Sequence, residues 1–552
     1  MPKLNRQASL QGNLHEKAVS HVIKARPEDE KELLEAKRDA CKKYSISMLK
    51  NSDILKRLRD SQNREDENYA RRMASLLKKR SVRTLSGIAP VAVLTKPFPC
   101  PGTCVFCPSE KGMPQSYLSN EPAVMRAIRC GFHPYVQVRS RIASLETNGH
   151  EPAKIELIII GGTWSVLPKR YKYWFTKECL KAANDFSLTG QREPEKEDST
   201  SSILVLRDKL IREQHRNEAS AHKIVGLTIE TRPDYINQEE LLQMRELGCT
   251  RVELGVQSID DDVLALNRRG HGTAEIARAT KQLRDMGFKI TYHIMPGLPG
   301  STPEKDVSSF SRLWTDERYQ PDQIKFYPTV VTNGSILYEW WKNGDYKPYP
   351  DKVLEKLITD CKKLIPSYVR IIRLIRDIPG ESIVAGNTVT NLRQVIKDRG
   401  ITCRCIRCRE AKGADYDPSS ADKKLISYQA GGGEEYFLSI ENKKSLFGFL
   451  RLRLVKKESS RSSLEAIKGS ALIRELHVYG QLAPTGKTGK VQHSGIGKEL
   501  LSWAEEIAKK NGYERMAIIS GIGARNYYRK LGYRLNKTYM SKKLGNHQHQ
   551  LT

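Results

Sequence analysis

The sequence has no hydrophobic run long enough to cross a membrane. None of the apolar runs in its 552 residues reaches the roughly 18 residues that a spanning helix needs. The N-terminal segment, MPKLNRQASLQGNLHEK, also lacks the apolar core of a secretory signal peptide. We therefore expect a cytoplasmic protein that does not bind membranes.

Negative charge is scarce in this chain. Asp and Glu number 64 against 93 Lys and Arg, so the formal net charge is +29. This excess predicts a polyanionic partner, with nucleic acid the leading candidate and an anionic membrane surface the second. A basic run at residues 68–84, NYARRMASLLKKRSVRT, ends a charged, helix-forming N-terminal stretch. We interpret it as an arm that binds nucleic acid, the alternative being a solvated helical face.

Cysteine is also uncommon, with 11 residues in the whole chain. In the cytosol, cysteines are expected as thiols or metal ligands rather than as disulfides. Six of them fall in two tight clusters, at residues 100–107 and 403–408. This clustering favours metal sites.

The first cluster lies in the stretch PFPCPGTCVFCP at residues 97–108. Cys100, Cys104 and Cys107 have the spacing C-x3-C-x2-C. A tetrahedral zinc site normally needs four protein ligands, for which Cys130 is the remaining nearby candidate. Three thiolates on a [4Fe–4S] cluster would instead leave one iron open to a small molecule. We favour the iron–sulfur interpretation over zinc.

Between residues 85 and 375 short apolar strands alternate with longer amphipathic helices. The strand candidates are residues 91–96, 154–162, 222–231, 251–258, 289–297 and 322–330. This alternation predicts a parallel sheet, either open or closed into a barrel. Several strands end in glycine or polar residues, and in barrels of this kind the carboxyl ends of the strands carry the site.

Region 85–375 resembles the radical S-adenosylmethionine (SAM) superfamily, because the cysteine triad follows the first strand of the predicted barrel. The resemblance implies that Gly161 and Gly162 receive the SAM amino group and that Phe106 lies against its adenine. The alternative for the glycine pair is a tight turn without a ligand. The segment HIMPGLPGST at 293–302 resembles the strand-five turn of the same superfamily.

The second cluster is ITCRCIRCRE at residues 401–410. Its cysteines are Cys403, Cys405 and Cys408. We predict a structural zinc with a fourth ligand from elsewhere, either Cys249, Cys361 or a histidine. A second iron–sulfur cluster and a merely basic loop are the alternatives. The arginines between the cysteines would suit a phosphate backbone.

The C-terminal region carries a candidate pyrophosphate loop. Gln492, Gly495 and Gly497 form a Q-x-x-G-x-G pattern directly before a helix-forming stretch, where backbone N–H groups bind phosphate. Together with RELHVYG at 474–480 and ARNYYRKLGYRL at 524–535, this pattern resembles the GNAT acetyltransferase fold. The alternative is an ordinary α/β domain with a glycine turn.

These observations predict an α/β protein with four parts. Residues 1–84 form a basic helical tRNA-binding extension, and residues 85–375 form a radical SAM partial (β/α) barrel. Residues 376–430 form a linker with the cysteine-rich metal knuckle, and residues 431–552 form a GNAT-like domain that binds acetyl-CoA.

This combination of parts resembles the family of the catalytic subunit of Elongator. The likeness is also carried by PQSYLSNEPAVMRAIR at 114–129, KIELIIIGGTW at 154–164 and TIETRPDY at 228–235. It implies an enzyme that uses SAM-derived radical chemistry and acetyl-CoA to place a carboxymethyl group on carbon 5 of the wobble uridine of tRNA. Its partners would be the anticodon stem-loop and an electron donor. The short cysteine spacing is that of an archaeal-like member, which would not require the other Elongator subunits.

The same resemblance assigns roles to individual residues. Cys100, Cys104 and Cys107 would hold the iron–sulfur cluster. The implied catalytic residues are Lys154, Lys325, Tyr327 and Tyr528. The implied acetyl-CoA contacts are Lys154, Glu475, Leu476, His477, Val478, Gln492, Gly495, Ile496, Gly497, Lys498 and Tyr528.

Two other functions compete with this prediction. One is a protein lysine acetyltransferase with a structural Fe–S barrel, and the other is a non-catalytic nucleic-acid-binding protein with two metal sites. The intact cysteine triad disfavours the first, and the intact CoA loop disfavours the second. The basic arm favours RNA over a protein substrate.

Overall fold

The computed structural model describes residues 2–60, 67–78, 87–187, 193–198, 200–388, 392–394, 400, 403–411, 418–455, 464–479 and 495–545. The chain divides into two compact units. One contains Met1–Thr84 and Arg139–Ala153, and the other contains Leu85–Val138 and Lys154–Thr552. The helices in the described ranges are all too short or too polar to cross a membrane.

The first unit is built largely from four N-terminal helices. They are α1 (Pro2–Lys24), α2 (Glu30–Tyr44), α3 (Asn51–Asp60) and α4 (Glu67–Leu77). Helix α2 begins where the Asp29 side chain accepts hydrogen bonds from the N–H groups of Lys31 and Glu32, each at 2.8 Å, which is the usual role of an N-cap aspartate. Apolar side chains from all four helices, including Val22, Leu33 and Met73, form one buried core.

The first sheet of the second unit has seven strands, all parallel. They are β1 (Ala89–Leu94), β2 (Lys154–Ile160), β3 (Lys223–Thr231), β4 (Arg251–Gln257), β5 (Lys289–Ile294), β6 (Gln323–Phe326) and β8 (Arg370–Arg373), in that order across the sheet. This sheet is a half-barrel whose two edge strands are β1 and β8. The structure confirms the predicted parallel sheet, and β8 is the strand that the sequence did not reveal.

Helices lie between these strands along the chain. They are α5 (Pro122–Arg129), α6 (Pro134–Thr147), α7 (Lys169–Asp185), α8 (Ile203–Ala219), α9 (Gln238–Glu246), α10 (Asp261–Leu266), α11 (Thr273–Asp285), α12 (Pro303–Thr315), α13 (Ile336–Lys342) and α14 (Asp351–Leu364). Because every sheet connection runs from one parallel strand to the next, all the strands present their carboxyl ends at one edge. Beyond β6, the short strands β7 (Val331–Thr332) and β9 (Ile383–Ala385) pair antiparallel.

The second sheet is mixed and contains the C-terminal strands. Its order is β10 (Asp422–Ala430), β11 (Gly433–Glu441), β12 (Leu446–Leu454), β13 (Ala471–Val478), β14 (Arg515–Ile518), β16 (Tyr539–Lys543) and β15 (Arg534–Asn536). Helix α15 (Ile406–Arg409) precedes the first strand of this sheet in the chain. Helix α16 (Ile496–Lys510) lies between β13 and β14, and helix α17 (Arg525–Arg529) lies between β14 and β15. Strand β10 precedes residue 431, where the sequence predicts the domain to begin. Most of the side chains of β10 are exposed, so its sequence has no apolar pattern. The domain boundaries that the sequence predicts stay a prediction.

Buried ion pairs join the two sheets. Arg474 on β13 donates two hydrogen bonds to Asp322, which precedes β6, at 2.9 and 2.5 Å. Both side chains are 0% exposed. Arg453 on β12 likewise contacts Asp285 at the end of α11 at 2.5 Å. The amino ends of the half-barrel strands therefore lie against the second sheet.

The backbones of the two sheets also approach closely. A Cβ atom placed on Gly521 would lie 2.0 Å from the carbonyl oxygen of Val225 on β3. One placed on Gly523 would lie 2.6 Å from the Cβ of Lys223. Real Cβ atoms do not approach backbone atoms so closely, so this turn needs glycine.

Candidate active site

The first cysteine triad lies in the loop that follows β1, at the carboxyl edge of the half-barrel. Cys104 is buried, and Cys100 and Cys107 are half-buried. The loop is fixed from both sides, since the Val105 N–H donates to the Asn267 carbonyl at 3.2 Å and the Val105 carbonyl accepts from the Leu337 N–H at 2.9 Å. The sulfur atoms are therefore held by a loop with defined backbone partners.

Two arginines place positive charge on this loop. Arg269 donates a hydrogen bond from Nη1 to the Cys104 sulfur at 2.9 Å. Arg232 is held by Asp234 through two hydrogen bonds at 3.0 and 2.9 Å, and its Nη1 would be 2.2 Å from a Cβ placed on Gly102. A hydrogen bond from Cys107, together with Arg269 and Arg232, lowers the pKa of Cys104 to about 5 against the effect of burial.

This loop fits the [4Fe–4S] cluster that the sequence predicts. Cluster ligands are thiolates rather than thiols, and the guanidinium groups of Arg232 and Arg269 favour the thiolate form. Cys130 caps α5, and among the described residues neither it nor the first triad belongs to a group of closely spaced metal-ligating side chains. The hydrogen bond to Cys104, together with burial, raises the pKa of Cys107, so the two arginines favour the thiolate at Cys104 in particular. Three cysteines beside two cations match an iron–sulfur cluster better than a four-ligand zinc site.

The glycine pair after β2 lies beside the same loop. Gly161 and Gly162 have φ angles of 135° and 92°, which side chains rarely adopt. A Cβ on Gly161 would lie 2.1 Å from the Thr95 Oγ1 at the end of β1. The next residue, Thr163, has its Oγ1 3.9 Å from the Cys100 sulfur. The structure thus brings the predicted SAM-binding turn to the cysteine triad.

Phe106 packs beneath the loop. Its ring belongs to an apolar core with Val263, Leu298 and Tyr346. The Arg269 guanidinium lies 5.7 Å from its centroid. The predicted contact of this ring with adenine stays a prediction, whereas its packing role is visible.

The interior of the half-barrel is charged rather than apolar. Glu253 on β4 is 1% exposed and pairs with Lys325 on β6 and with His293 Nε2 at 2.9 Å. The other ring nitrogen of His293 is 3.5 Å from Glu230, which accepts a hydrogen bond from Tyr117 at 2.8 Å. Burial opposes the charged form of Glu253, but Lys325 and His293 outweigh it and lower its pKa.

Lys325 and Tyr327 lie at the carboxyl end of β6, as the sequence predicts. The ring centroids of Tyr327 and His293 are 5.5 Å apart. Burial raises the pKa of Tyr327, so its hydroxyl is protonated near neutral pH. These two residues therefore share one polar interior with His293 and Glu253.

Lys154 lies at the opposite end of the half-barrel. It is the first residue of β2 and pairs with Lys223 on β3, whereas Gly161 follows the last residue of β2. Burial and the neighbouring Lys223 lower the pKa of Lys154. At about 3.3 Å per residue, the length of β2 separates Lys154 from the cysteine edge by about 20 Å. Lys154 therefore groups with the second sheet and not with the cysteines.

The second sheet opens where the sequence predicts acyl binding. Strands β13 and β14 are parallel neighbours through Ile473 and Ile518, beyond which the described pairing of β13 runs with β12 only. A register shift opposite Arg451 and Leu452 marks the point of divergence. Among the described residues, none pairs with the second backbone edge of residues 475–478, which is the edge that an acyl-binding strand would offer to a ligand.

Two titratable side chains of β13 face the half-barrel. Glu475 is 3.6 Å from Lys289 on β5; burial opposes its charge, but Lys289 and Arg451 outweigh it and lower its pKa. Burial lowers the pKa of His477 to about 4, and its Nε2 is buried without a hydrogen-bond partner. His477 is therefore neutral at neutral pH.

The predicted pyrophosphate loop ends at the first turn of α16. Gly495 caps this helix with a φ of 90°, and Ile496, Gly497 and Lys498 form its first turn. Gln492 lies outside the described residues. A Cβ on Gly497 would be 2.7 Å from the hydroxyl of Tyr527 and 3.6 Å from the side chain of Val478, so the helix start, β13 and α17 converge.

Tyr528 lies at this convergence but is buried. Its ring contacts those of Tyr527 at 5.2 Å and Tyr533 at 6.2 Å. Tyr527 is 42% exposed and faces the start of α16. Of the two adjacent tyrosines, sequence reasoning named Tyr528 and missed Tyr527.

The second cysteine triad forms a compact group. The sulfur atoms of Cys403, Cys405 and Cys408 all lie within 4.8 Å of one another, a spacing suited to one metal ion. Within the described ranges no other Cys, His, Asp or Glu joins them. The suggested fourth ligands are engaged elsewhere: the Cys249 sulfur donates to the Arg251 carbonyl at 3.1 Å, and Cys361 is buried in α14.

The arginines between these cysteines are largely used within the protein. Arg409 pairs with Glu441 and donates to the Ser367 carbonyl at 2.6 Å. Arg407 is 3.6 Å from Glu410. Arg407 and Arg409 thus stabilise the linker, and the suggestion that the arginines of this cluster suit a phosphate backbone stays a prediction.

The site contains residues that sequence reasoning missed. Arg232 lies in TIETRPDY, Glu253 in ELGVQS and His293 in HIMPGLPGST, but these segments do not reveal what the three side chains contact. Arg269 lies in none of them. One sequence feature did point to His293 and Glu253: both are charged residues inside strands that otherwise read as buried. An ionisable residue in a buried strand position is expected to be paired.

The half-barrel, its cysteine triad and the opened second sheet define an acyltransferase of the radical SAM superfamily. Residues 99–310 match the Radical SAM superfamily and residues 321–400 the Radical_SAM C-terminal domain. Residues 407–533 match the Acetyltransferase (GNAT) family. The predicted fold class is thereby confirmed.

Similar proteins extend over almost the whole chain. The tRNA uridine(34) acetyltransferase of Dehalococcoides mccartyi is 43% identical over 84% of this chain and 100% of its own length. That of Methanocaldococcus jannaschii is 39% identical over 98% and 99%, and human Elongator complex protein 3 is 38% identical over 86% and 88%. The structure of archaeal Methanocaldococcus infernus Elp3 with an N-terminal deletion matches with a TM-score of 0.69, 39% identity and coverage of 83% and 99%. The chain belongs to the family of tRNA uridine(34) acetyltransferases and Elongator complex protein 3.

Proposed function

We propose that this protein uses SAM-derived radical chemistry and the acetyl group of acetyl-CoA to build a carboxymethyl group on carbon 5 of the wobble uridine of tRNA. The observation that carries the proposal is the presence, in one compact unit, of a cation-flanked cysteine triad and of a strand, β13, whose pairing with β14 ends at Ile473. Either site alone would fit a simpler enzyme. The names of the relatives, tRNA uridine(34) acetyltransferases, indicate the substrate.

The carboxyl edge of the half-barrel, where the first cysteine triad lies, would bind the group that generates the radical. Cys100, Cys104 and Cys107 would ligate a [4Fe–4S] cluster, and the backbone at Gly161 and Gly162 would receive the amino group of SAM. When bound, these two cofactors supply a 5′-deoxyadenosyl radical that removes hydrogen from an unactivated C–H bond, here the acetyl methyl group. The protein contributes position and the exclusion of competing reactions.

The second sheet has the task of binding acetyl-CoA. The free backbone edge at residues 475–478 would accept the pantetheine amides, and the first turn of α16 would bind the pyrophosphate. Lys154 and Tyr528 are placed near the acyl group in this proposal. For the methyl carbon to be joined to carbon 5, the uracil would lose its carbon-5 hydrogen as a proton, and one electron would return to the oxidised cluster held by Cys100, Cys104 and Cys107. Hydrolysis of the thioester by water would then leave the carboxymethyl group and release CoA.

The acyl-binding strand and the cysteines lie at opposite ends of the half-barrel strands, so the acetyl unit must reach along the barrel. Charged side chains inside the half-barrel would offer hydrogen bonds to an acetyl unit on that path. Arg251, for example, lies 3.3 Å from Glu156 and 3.9 Å from Glu253. At the carboxyl end, Lys325 and Tyr327 would handle the uracil ring. The N-terminal basic extension would hold the tRNA backbone, and an external electron donor would reduce the cluster.

The test is an anaerobic assay with tRNA, SAM, a reductant and acetyl-CoA whose methyl group carries three deuterium atoms. The proposal expects one deuterium in the 5′-deoxyadenosine, two in the carboxymethyl group of the nucleoside, and CoA release that depends on tRNA. Cys104→Ala should abolish both products and leave tRNA affinity nearly unchanged, because binding rests on the basic surface.

Two outcomes would contradict the proposal. One is 5′-deoxyadenosine without deuterium, which would place the abstracted hydrogen elsewhere. The other is acetyl-lysine formation on a protein without SAM, which would select the lysine acetyltransferase instead. Tyr528→Phe gives a matched control, since it should slow CoA release while SAM cleavage persists at a low level.

A further inference from the structure

A cavity of about 380 Å³ opens at the carboxyl edge of the half-barrel, beside the cysteine loop. Its walls include Leu266, Leu298, Trp340, Lys347, Tyr346 and Tyr349. The backbone of the turn after β5, residues 297–301, forms one side. The predicted cofactor-binding residues do not include any of these side chains, so the proposed cofactors do not account for this cavity.

The aromatic walls are fixed, with their hydroxyl groups already used. Tyr346 donates to the Gly297 carbonyl at 2.7 Å, and Tyr349 donates to Asp306 at 2.9 Å. A Cβ on Gly297 would lie 3.3 Å from the Tyr349 ring, so that ring packs directly on the turn. What the tyrosines offer to a ligand is therefore ring surface and not hydrogen bonds.

The remaining walls combine an exposed apolar surface with charge at the rim. Leu266 is 47% exposed and gives the cavity an apolar wall. Trp340 lines the cavity, whereas its neighbour Trp341 contacts Tyr338 with ring centroids 5.9 Å apart. Lys347 and Asp345 both line the cavity and are exposed at its rim.

These features fit an unpaired nucleobase better than other small ligands. Bases stack on aromatic side chains without needing specific hydrogen bonds, and a lysine at the rim suits the phosphate that follows a base. RNA loops are recognised through unstacked bases of this kind. The net charge of +29 supports a polyanion as the molecule that brings the base.

The position of the cavity specifies which base. Leu298 and Tyr346 line it and also pack in the core that contains Cys104 and Phe106. A base held there lies directly behind the cysteine loop. We propose that the cavity binds an anticodon-loop nucleobase of tRNA that flanks the wobble uridine; this rests on the proposed function and names the part of the RNA that anchors it.

The experiment uses the full-length protein and a synthetic anticodon stem-loop with 2-aminopurine at each loop position in turn. One position next to the wobble base should show fluorescence quenching on binding. Trp340→Ala should weaken stem-loop affinity roughly tenfold, as for loss of one base–aromatic stack, and Trp340→Phe should restore most of it. The same stem-loop made abasic at the quenched position should lose affinity to the wild type but no further affinity to Trp340→Ala.

A charge-matched pair completes the design. Lys347→Ala should weaken binding more than Lys342→Ala, because Lys342 is exposed at the end of α13 but does not line the cavity. Thermal melting of each variant checks the fold.

The outcomes separate this inference from the proposed function. A wild-type protein that binds no stem-loop overturns both. Tight wild-type binding that Trp340→Ala leaves unchanged overturns the cavity alone. A Trp340→Ala variant that loses SAM affinity and keeps RNA affinity also overturns it, by assigning the cavity to SAM.

Discussion

Arg474 and Asp322 form a two-point ion pair between the second sheet and the half-barrel, with neither side chain exposed to solvent. Asp322 also accepts a hydrogen bond from the Ile290 N–H at 2.9 Å, and Arg451 lies 3.5 Å from it. One carboxylate thus connects β5, β6, β12 and β13. Burial opposes its charge, but Arg474 and Arg451 outweigh it and lower its pKa.

Removal of the Asp322 charge should destabilise the protein strongly. In Asp322→Asn two buried guanidinium groups each lose one of two carboxylate partners, since Arg474 also pairs with Glu435 and Arg451 with Glu475. We expect about 3 kcal/mol of lost stability, the low end of the range for breaking a buried ion pair. Urea unfolding followed by tryptophan fluorescence measures the change. The control is Asp360→Asn on α14, whose partner Lys356 is 82% exposed, where the loss should stay below about 1 kcal/mol. Equal losses of stability in the two variants would show that the buried ion pair contributes no more than the exposed one.

Gly521 should tolerate no side chain. A methyl group there would collide with the Val225 carbonyl, so Gly521→Ala must push the second sheet away from β3, at a cost of about 1–3 kcal/mol. Gly380→Ala is the matched control, since a Cβ there meets nothing within 4 Å and the smaller unfolded-state entropy makes it neutral or slightly stabilising. The shift in melting temperature distinguishes them. A melting temperature unchanged by Gly521→Ala would refute the close contact.

His477 should make stability depend on pH between about 4 and 6.5. Burial lowers its pKa in the folded state to about 4 from the ordinary value of 6.5, so between those values the unfolded chain binds the proton more readily. Stability therefore rises as the pH increases through this window. His477→Gln should flatten part of the rise; burial also lowers the pKa of His271, which keeps the rest.

The measurement is urea unfolding at several pH values between 4 and 7.5. His215→Gln serves as control, because that histidine side chain is 60% exposed on α8, and its profile should match the wild type. A wild-type stability that falls from pH 4 to 6.5 would show that His477 is charged in the folded protein.

The second cysteine triad should hold a metal that is independent of the first. In Cys405→Ser one of three closely spaced sulfurs is lost, and elemental analysis of anaerobically purified protein should show loss of about one zinc per chain with iron retained. Cys104→Ser should give the reverse, with iron lost and zinc retained. Simultaneous loss of both metals in either variant would mean that the two triads depend on each other.

The sequence predicted the framework because its patterns are local. Residues 157–160 of β2 are a continuous apolar run and the Cys100 triad has a fixed spacing, so both could be found without knowledge of their partners. Strand β10 has exposed, charged side chains and gains its place only by pairing with β11. Strand β8 has four residues, too few for a periodic pattern.

The chemistry of the site was predicted less completely than its ligands. The cysteines could be named from spacing, but Arg269 reaches Cys104 across 165 positions of sequence, and no local pattern announces such a contact. The same holds for Glu253, whose partners Lys325 and His293 lie on other strands. The segment RELHVYG was predicted to be an acyl-binding strand, but the sequence did not reveal that its Arg474 pairs with Asp322 between the two sheets.

The buried arginines at the junction mean that the two halves are not portable modules. A fragment that ended before β10 would present Asp322 to water without Arg474, and Asp285 without Arg453. The complementary fragment would expose Arg453 and Arg474 on a surface shaped to fit the half-barrel. Grafting a foreign acetyltransferase onto this half-barrel would need the same charges in the same places. Evolution of either half is therefore tied, residue by residue, to the other.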